Sequence, residues 1–174
     1  MLYNALMFLS RLVRFLPYDL LLFTGRILGN LYYIFVKKQR ERAVAQMMPA
    51  LNISESEARK IVRESFINLA RNMLDILYMP NLNEKNLSEY IEIDHLERMK
   101  DALAQGHGVV VLTGHIGTWE WLSAAFTLNG LPVTAIAKLQ PNQEYSRALD
   151  DLRATIHVEI FNRGTSELLS AGRA

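Results

Sequence analysis

Apolar residues recur at every third or fourth position over residues 54 to 80, and that spacing predicts an amphipathic helix. Ala58, Ile61, Val62, Phe66, Leu69, Ala70, Met73, Leu74 and Leu77 make one face, while Arg59, Lys60, Arg63, Glu64, Arg71 and Asp75 make the other. Ser54 and Glu57 have the spacing of a capping box, and Pro80 marks the end of the run. Downstream the pattern changes to short apolar runs: YIEI at 90–93, VVVLT at 109–113, PVTAIA at 132–137 and HVEIF at 157–161. These read as strands, with helices around 95–105, 118–129 and 143–154 between them and Gly106 and Gly130 as helix stops. Repeated strand–helix–strand units predict an α/β fold, a mostly parallel sheet with flanking helices. VVVLT is apolar along most of its length, as a buried parallel strand should be.

The first 36 residues follow another pattern. Only Arg11, Arg14, Asp19 and Arg26 interrupt the apolar residues there, and the basic run KKQRER follows at once. The charge-free runs, 1–10 and 27–36, are each too short for a spanning helix, which needs about 20 apolar residues. A secretory signal is a poor match too, because a basic leading region and a small-residue cleavage site are missing. The pattern predicts a pair of helices broken at Pro17 that lie in the membrane interface. Arg11 and Arg14 would snorkel, and Phe15, Tyr18, Tyr32 and Tyr33 would sit at headgroup level. Lys37, Lys38, Arg40 and Arg42 would then face anionic lipid on the cytoplasmic side. The competing reading is a helical hairpin packed on the protein's own core, with the basic run as a solvated loop.

Composition narrows the chemistry. The 174 residues suit one domain with a real core, and 50% hydrophobic with 21% charged residues is ordinary for a globular chain. A formal net charge of +1 provides no overall field to attract nucleic acid. With no cysteine, disulfides, thiolate zinc sites and a cysteine nucleophile are excluded.

The candidate chemistry lies in TGHIGTWEW, residues 113–121. His115 comes two residues after VVVLT, and the carboxyl ends of strands are where sites gather in open α/β sheets. Gly114 and Gly117 permit close ligand approach; Thr118 is an expected helix N-cap, placing Glu120 in the first turn, where the helix dipole favours a carboxylate. A glutamate can hold an imidazole in the tautomer whose other nitrogen accepts a proton, which makes the histidine a general base. No G-x-S-x-G elbow provides a serine nucleophile, so direct attack by a bound acceptor is the natural mechanism. The residues by themselves leave two readings open, a catalytic pair and a hydrogen-bonded structural corner with core tryptophans. Neither H-E-x-x-H nor a His/Cys cluster points to a metal.

GHIGTWEW after an apolar run resembles the H-x4-D/E block of the glycerolipid and lysophospholipid acyltransferase superfamily. More closely, it resembles the bacterial lipid A biosynthesis (lauroyl/myristoyl) acyltransferases, whose block usually reads G-H-x-G-N-W-E. The hydrophobic N-terminus, an R-x-x-A-x-x-x-M-x-P stretch closing at Pro49, SFINLARNMLDI, LQPNQEYSRALDDLR at 139–153 and FNRGTSELL at 161–169 extend the resemblance over nearly the whole chain. It implies an O-acyltransferase that moves a fatty acyl chain from acyl carrier protein, or from acyl-CoA, to a hydroxyl of a lipid A precursor or related glycolipid. His115 would be the general base and Glu120 its orienting partner. Arg163 with Gly164 would match the second block, positioning the donor or the acceptor's anionic groups; Gly117 and Thr118 would line the substrate site, and Asn142 and Arg153 are weaker candidates.

The implied partners are a membrane lipid acceptor, acyl carrier protein and the membrane surface, with no cofactor, metal or nucleic acid, at the cytoplasmic face of the bacterial inner membrane. Thr118 departs from the usual asparagine, and the family's later blocks are not found here, so an incomplete core is expected. The domains read as membrane-associated helices over 1–36, a basic linker and amphipathic helix over 37–89, and an α/β acyltransferase core over 90–174. The rival functions are acylation of a lysophospholipid or phosphatidylinositol mannoside, non-catalytic binding of acyl carrier or lipid at the membrane, and hydrolytic release of fatty acid.

Overall fold

The computed structural model describes residues 1–162, and its packing divides the chain into two compact units. One is Leu12–Asp75; the other joins Met1–Arg11 to the chain from Ile76 onward.

Helices dominate both. Two apolar helices come first, α1 over Leu2–Val13 and α2 over Tyr18–Phe35, with Pro17 at the N-cap of the second, where its missing N–H costs nothing. The basic run does not form a loop but opens α3, Lys37–Leu51. Arg40 donates to the carbonyl oxygens of Tyr33 (3.0 Å) and Ile34 (3.3 Å), so it satisfies acceptors left open at the end of α2. No single helix among the described residues is long and apolar enough to cross a membrane; α2 and α3 would qualify only as a pair bent by 90°.

The long amphipathic helix is α4, Glu55–Tyr78, closed by a 3-10 turn over Met79–Asn81 that contains Pro80. Its capping box is present: the Ser54 N–H donates to Glu57 Oε2 at 3.0 Å, and the Glu57 N–H donates back to Ser54 Oγ at 3.3 Å. Its buried face differs in part from the expected one. Ile61, Leu69 and Met73 are exposed, Ile67 is buried instead, and Asp75 is buried where it accepts the Tyr18 hydroxyl at 3.1 Å. Gly29 explains the shift, because a Cβ there would collide with the backbone of Phe66 and Ile67, so α2 and α4 touch main chain to main chain. Val44, Ala58 and Val62 form the adjoining core.

In the other unit, short helices α5 (Leu87–Tyr90) and α6 (Leu96–Ala104) precede α7, Trp119–Thr127. Strand β1, Val133–Ala137, is joined through α8, Gln143–Ala154, to a parallel partner β2, Val158–Asn162, in the register Val133↔Val158. Both α7 and α8 pack on this pair. Trp121 is buried against Tyr78 and Tyr90 at ring separations of 6.5 and 6.0 Å, so it serves the core. The start of α1 is pinned to α8: the Met1 ammonium and Leu2 N–H donate to Glu144, and the Tyr3 hydroxyl donates to Asp151.

The expected mostly parallel sheet with flanking helices is not what the chain forms. Among the described residues eight α-helices accompany a single two-stranded pair. The run 90–93 begins as the last residue of α5, and 109–113 has no regular structure, with Val110 and Leu112 98% and 99% exposed. A β-branched run becomes a strand only where a neighbour takes up its N–H and C=O groups. PVTAIA and HVEIF find that partner in each other; the other two runs find none among the described residues.

Candidate active site

The loop before α7 combines with α7, β1, α8 and β2 to line a cavity of about 500 Å3. Gly117 turns that loop at a φ of +57°, a backbone region that L side chains rarely adopt, and so delivers the chain into α7. Thr118 takes the N-cap position, its carbonyl accepting from the Trp121 N–H at 3.0 Å. His115 lies on the cavity wall beside Trp119, with ring centroids 5.1 Å apart. Ala135 and Ala137 of β1, Val158 and Ile160 of β2, and Leu122 and Leu149 from the helices supply an apolar lining.

The polar part is built on Arg153. Its Nη2 donates to Glu120 Oε1 at 2.6 Å and its Nε to Oε2 at 2.8 Å, a bidentate pair whose side chains are only 17% and 13% exposed. Asp150, one turn back on α8, stands 3.5 Å from Arg153 Nη1. The hydrogen bonds to Glu120 hold the guanidinium pKa above its ordinary value, against the opposing effect of burial. Burial pushes the Asp150 carboxyl up, outweighing the attraction of Arg153. Glu120 is therefore committed to Arg153, and among the described residues it makes no hydrogen bond with His115. Both side chains nevertheless line one cavity, which a ligand entering it would meet together. No group of three or more His, Asp or Glu side chains among the described residues could hold a metal ion.

A cavity with a histidine, an anchored carboxylate and an apolar lining suits a ligand that is polar at one end and greasy at the other. The model of the bacterial lipid A biosynthesis acyltransferases matches residues 1–173. The chain belongs to that family. It is also similar to a phosphatidylinositol mannoside acyltransferase of Mycolicibacterium smegmatis, 25% identical over 91 residues. Those residues are 52% of this chain but 30% of that relative, so the match spans under a third of the relative's length.

Of the residues singled out in TGHIGTWEW, His115 and Glu120 line the cavity, and Gly117 and Thr118 shape the turn that presents them. Asn142 caps α8, its Oδ1 accepting the Tyr145 N–H at 3.1 Å, a structural duty. Arg163 and Gly164 lie outside the described residues. Arg153, a weak candidate in the sequence, is the partner of Glu120. Lys138 and Asp150 also line the cavity and were not singled out. Lys138 had one usable signal, its place immediately after an apolar run that forms a strand.

Proposed function

We propose that this chain carries the catalytic histidine of an acyltransferase that moves a fatty acyl group from a thioester to a hydroxyl of a lipid A precursor or related glycolipid. The observation that carries the reading is the position of His115 on the wall of a partly apolar cavity, in a chain that matches the family over residues 1–173. In the proposed step His115 takes the proton of the acceptor hydroxyl as its oxygen attacks the thioester carbonyl. The C–S bond then breaks, and the imidazolium returns the proton to the departing thiolate, so the transfer leaves an ester and a free thiol. Acyl carrier protein is the proposed donor and acyl-CoA the second choice. Glu120, fixed by Arg153, lines the same cavity as His115 and gives it a rigid polar wall.

The membrane side of the proposal rests on α2. Its Leu21, Gly25 and Gly29 are buried, while Leu20, Phe23, Ile27, Leu31 and Ile34 stand exposed along another face. Exposed Lys37 and Lys38 follow at the start of α3. An apolar face beside basic residues suits an anionic lipid surface, and the cytoplasmic face of the bacterial inner membrane is the proposed location. The mycobacterial relative supports a second reading of the acceptor, a phosphatidylinositol mannoside.

The test is mass spectrometry of both acceptor classes incubated with acyl carrier protein bearing an isotope-labelled acyl chain. A labelled acyl increment on one acceptor is expected, falling about 10²–10⁴-fold in His115→Ala. Transfer undiminished in that variant, or no transfer by the wild-type chain, overturns the reading.

A further inference from the structure

The charges around the cavity are nearly all spoken for. Arg153 is held by Glu120 and Asp150. A second hollow of about 440 Å3 at the start of α8 shares the lining residues Gln140, Ser146 and Asp150 with the cavity. The cation of that second hollow, Arg147, is also engaged: its guanidinium lies 4.6 Å from the Tyr3 ring centroid, and its Nε is 4.0 Å from Asp151. Lys138 differs from both. It is the first residue past β1, it lines the cavity that His115 also lines, and among the described residues its ammonium makes no ion pair. Its neighbour Gln140 adds an amide to both hollows.

An uncommitted ammonium at the carboxyl end of a strand, in a cavity with one amide and an apolar lining, is suited to a ligand's anion. We propose that Lys138 binds a phosphate group of the substrate. This rests on the acyl-transfer reading, under which two phosphates can reach the cavity: one on the glycolipid acceptor, and one on the phosphopantetheine arm that carries the acyl thioester. A lysine is a mobile point charge with three donors, which accepts a phosphate without demanding the planar geometry that an arginine imposes. Its place on the wall that carries His115 lets phosphate binding fix the ligand's polar end while the alkyl chain runs along Ala135, Ala137, Leu149 and Ile160.

The experiment is equilibrium binding by calorimetry on the full chain with two matched pairs of probes. One pair is an S-acyl pantetheine with and without its 4′-phosphate; the other is an acylated glucosamine disaccharide with and without phosphate. The wild-type chain is expected to prefer the phosphorylated member of one pair by about tenfold or more, and the discriminating pair identifies the source of the phosphate. Lys138→Met should abolish that preference, and Lys138→Arg should keep most of it. Preference retained in Lys138→Met, or absent from both pairs with the wild-type chain, overturns the proposal. Because binding is read in the absence of turnover, failed acyl transfer with an intact phosphate preference overturns the catalytic reading alone.

Discussion

Arg153 and Glu120 face each other from α8 and α7 across 33 residues of sequence, and both are largely buried. Removing one member of such a pair strands the other charge, which is the costly direction. Arg153→Met is therefore expected to destabilise the chain by about 2 kcal/mol, less than for a fully buried pair because both groups keep some solvent. Arg153→Lys should recover part of this, since it restores the charge but not the two-pronged geometry. Urea unfolding measures both, and an Arg153→Met midpoint equal to wild type would contradict the account. That His115 and Glu120 come close to one another was legible from the sequence, because they lie in one short block beside glycines, and both line one cavity. The partner of Glu120 was not. Four arginines follow the block, and only the placement of α8 selects Arg153.

Two contacts between helices make the packing of Leu12–Asp75 testable. At Gly29 an added methyl would meet backbone, Ile67 Cα at 2.4 Å, whereas at Gly25 it would meet Arg71 Cγ at 2.7 Å and the Arg71 Cα only at 3.1 Å. Alanine gains about 1 kcal/mol of helix propensity at either site. Overpacking costs about 1–3 kcal/mol, and backbone cannot step aside. Gly29→Ala should therefore lower the melting temperature, and Gly25→Ala should lower it less; the reverse order would sink the argument. Glu41 of α3 receives two hydrogen bonds from Arg59 of α4 and one from Arg40. The donors, Arg59 first, hold its carboxyl at about 2, against an ordinary value of 4.5. A depressed folded-state pKa contributes stability that is present above pH 4.5 and is lost as pH falls toward 2. The unfolding midpoint of Glu41→Gln should accordingly vary less than that of wild type across this window.

At the scale of the whole chain, the exposed apolar face of α2 calls for a vesicle sedimentation assay. Phe23→Asp and Ile27→Asp should each weaken binding to anionic vesicles about tenfold or more, since a buried large apolar side chain contributes about 1.5–3 kcal/mol. Lys37→Glu should weaken binding to anionic vesicles only. Equal binding by all variants would remove the membrane role of this face. What the sequence by itself determined about this protein is mostly local. The break at Pro17, the Ser54–Glu57 cap and the helices near 95–105, 118–129 and 143–154 follow from residues a few positions apart, and all are present. Side chains four positions away can cap, stop or line a helix without help from the rest of the chain. Tertiary structure decided everything that needs a distant partner. Of four strand-like runs it paired two, because ladder hydrogen bonds must come from another segment. It turned Ile67 inward and Met73 outward on α4, because Gly29 brings α2 against one particular side. And it gave Glu120 to Arg153, because the choice among distant cations depends on where α8 lies, which no local spacing records.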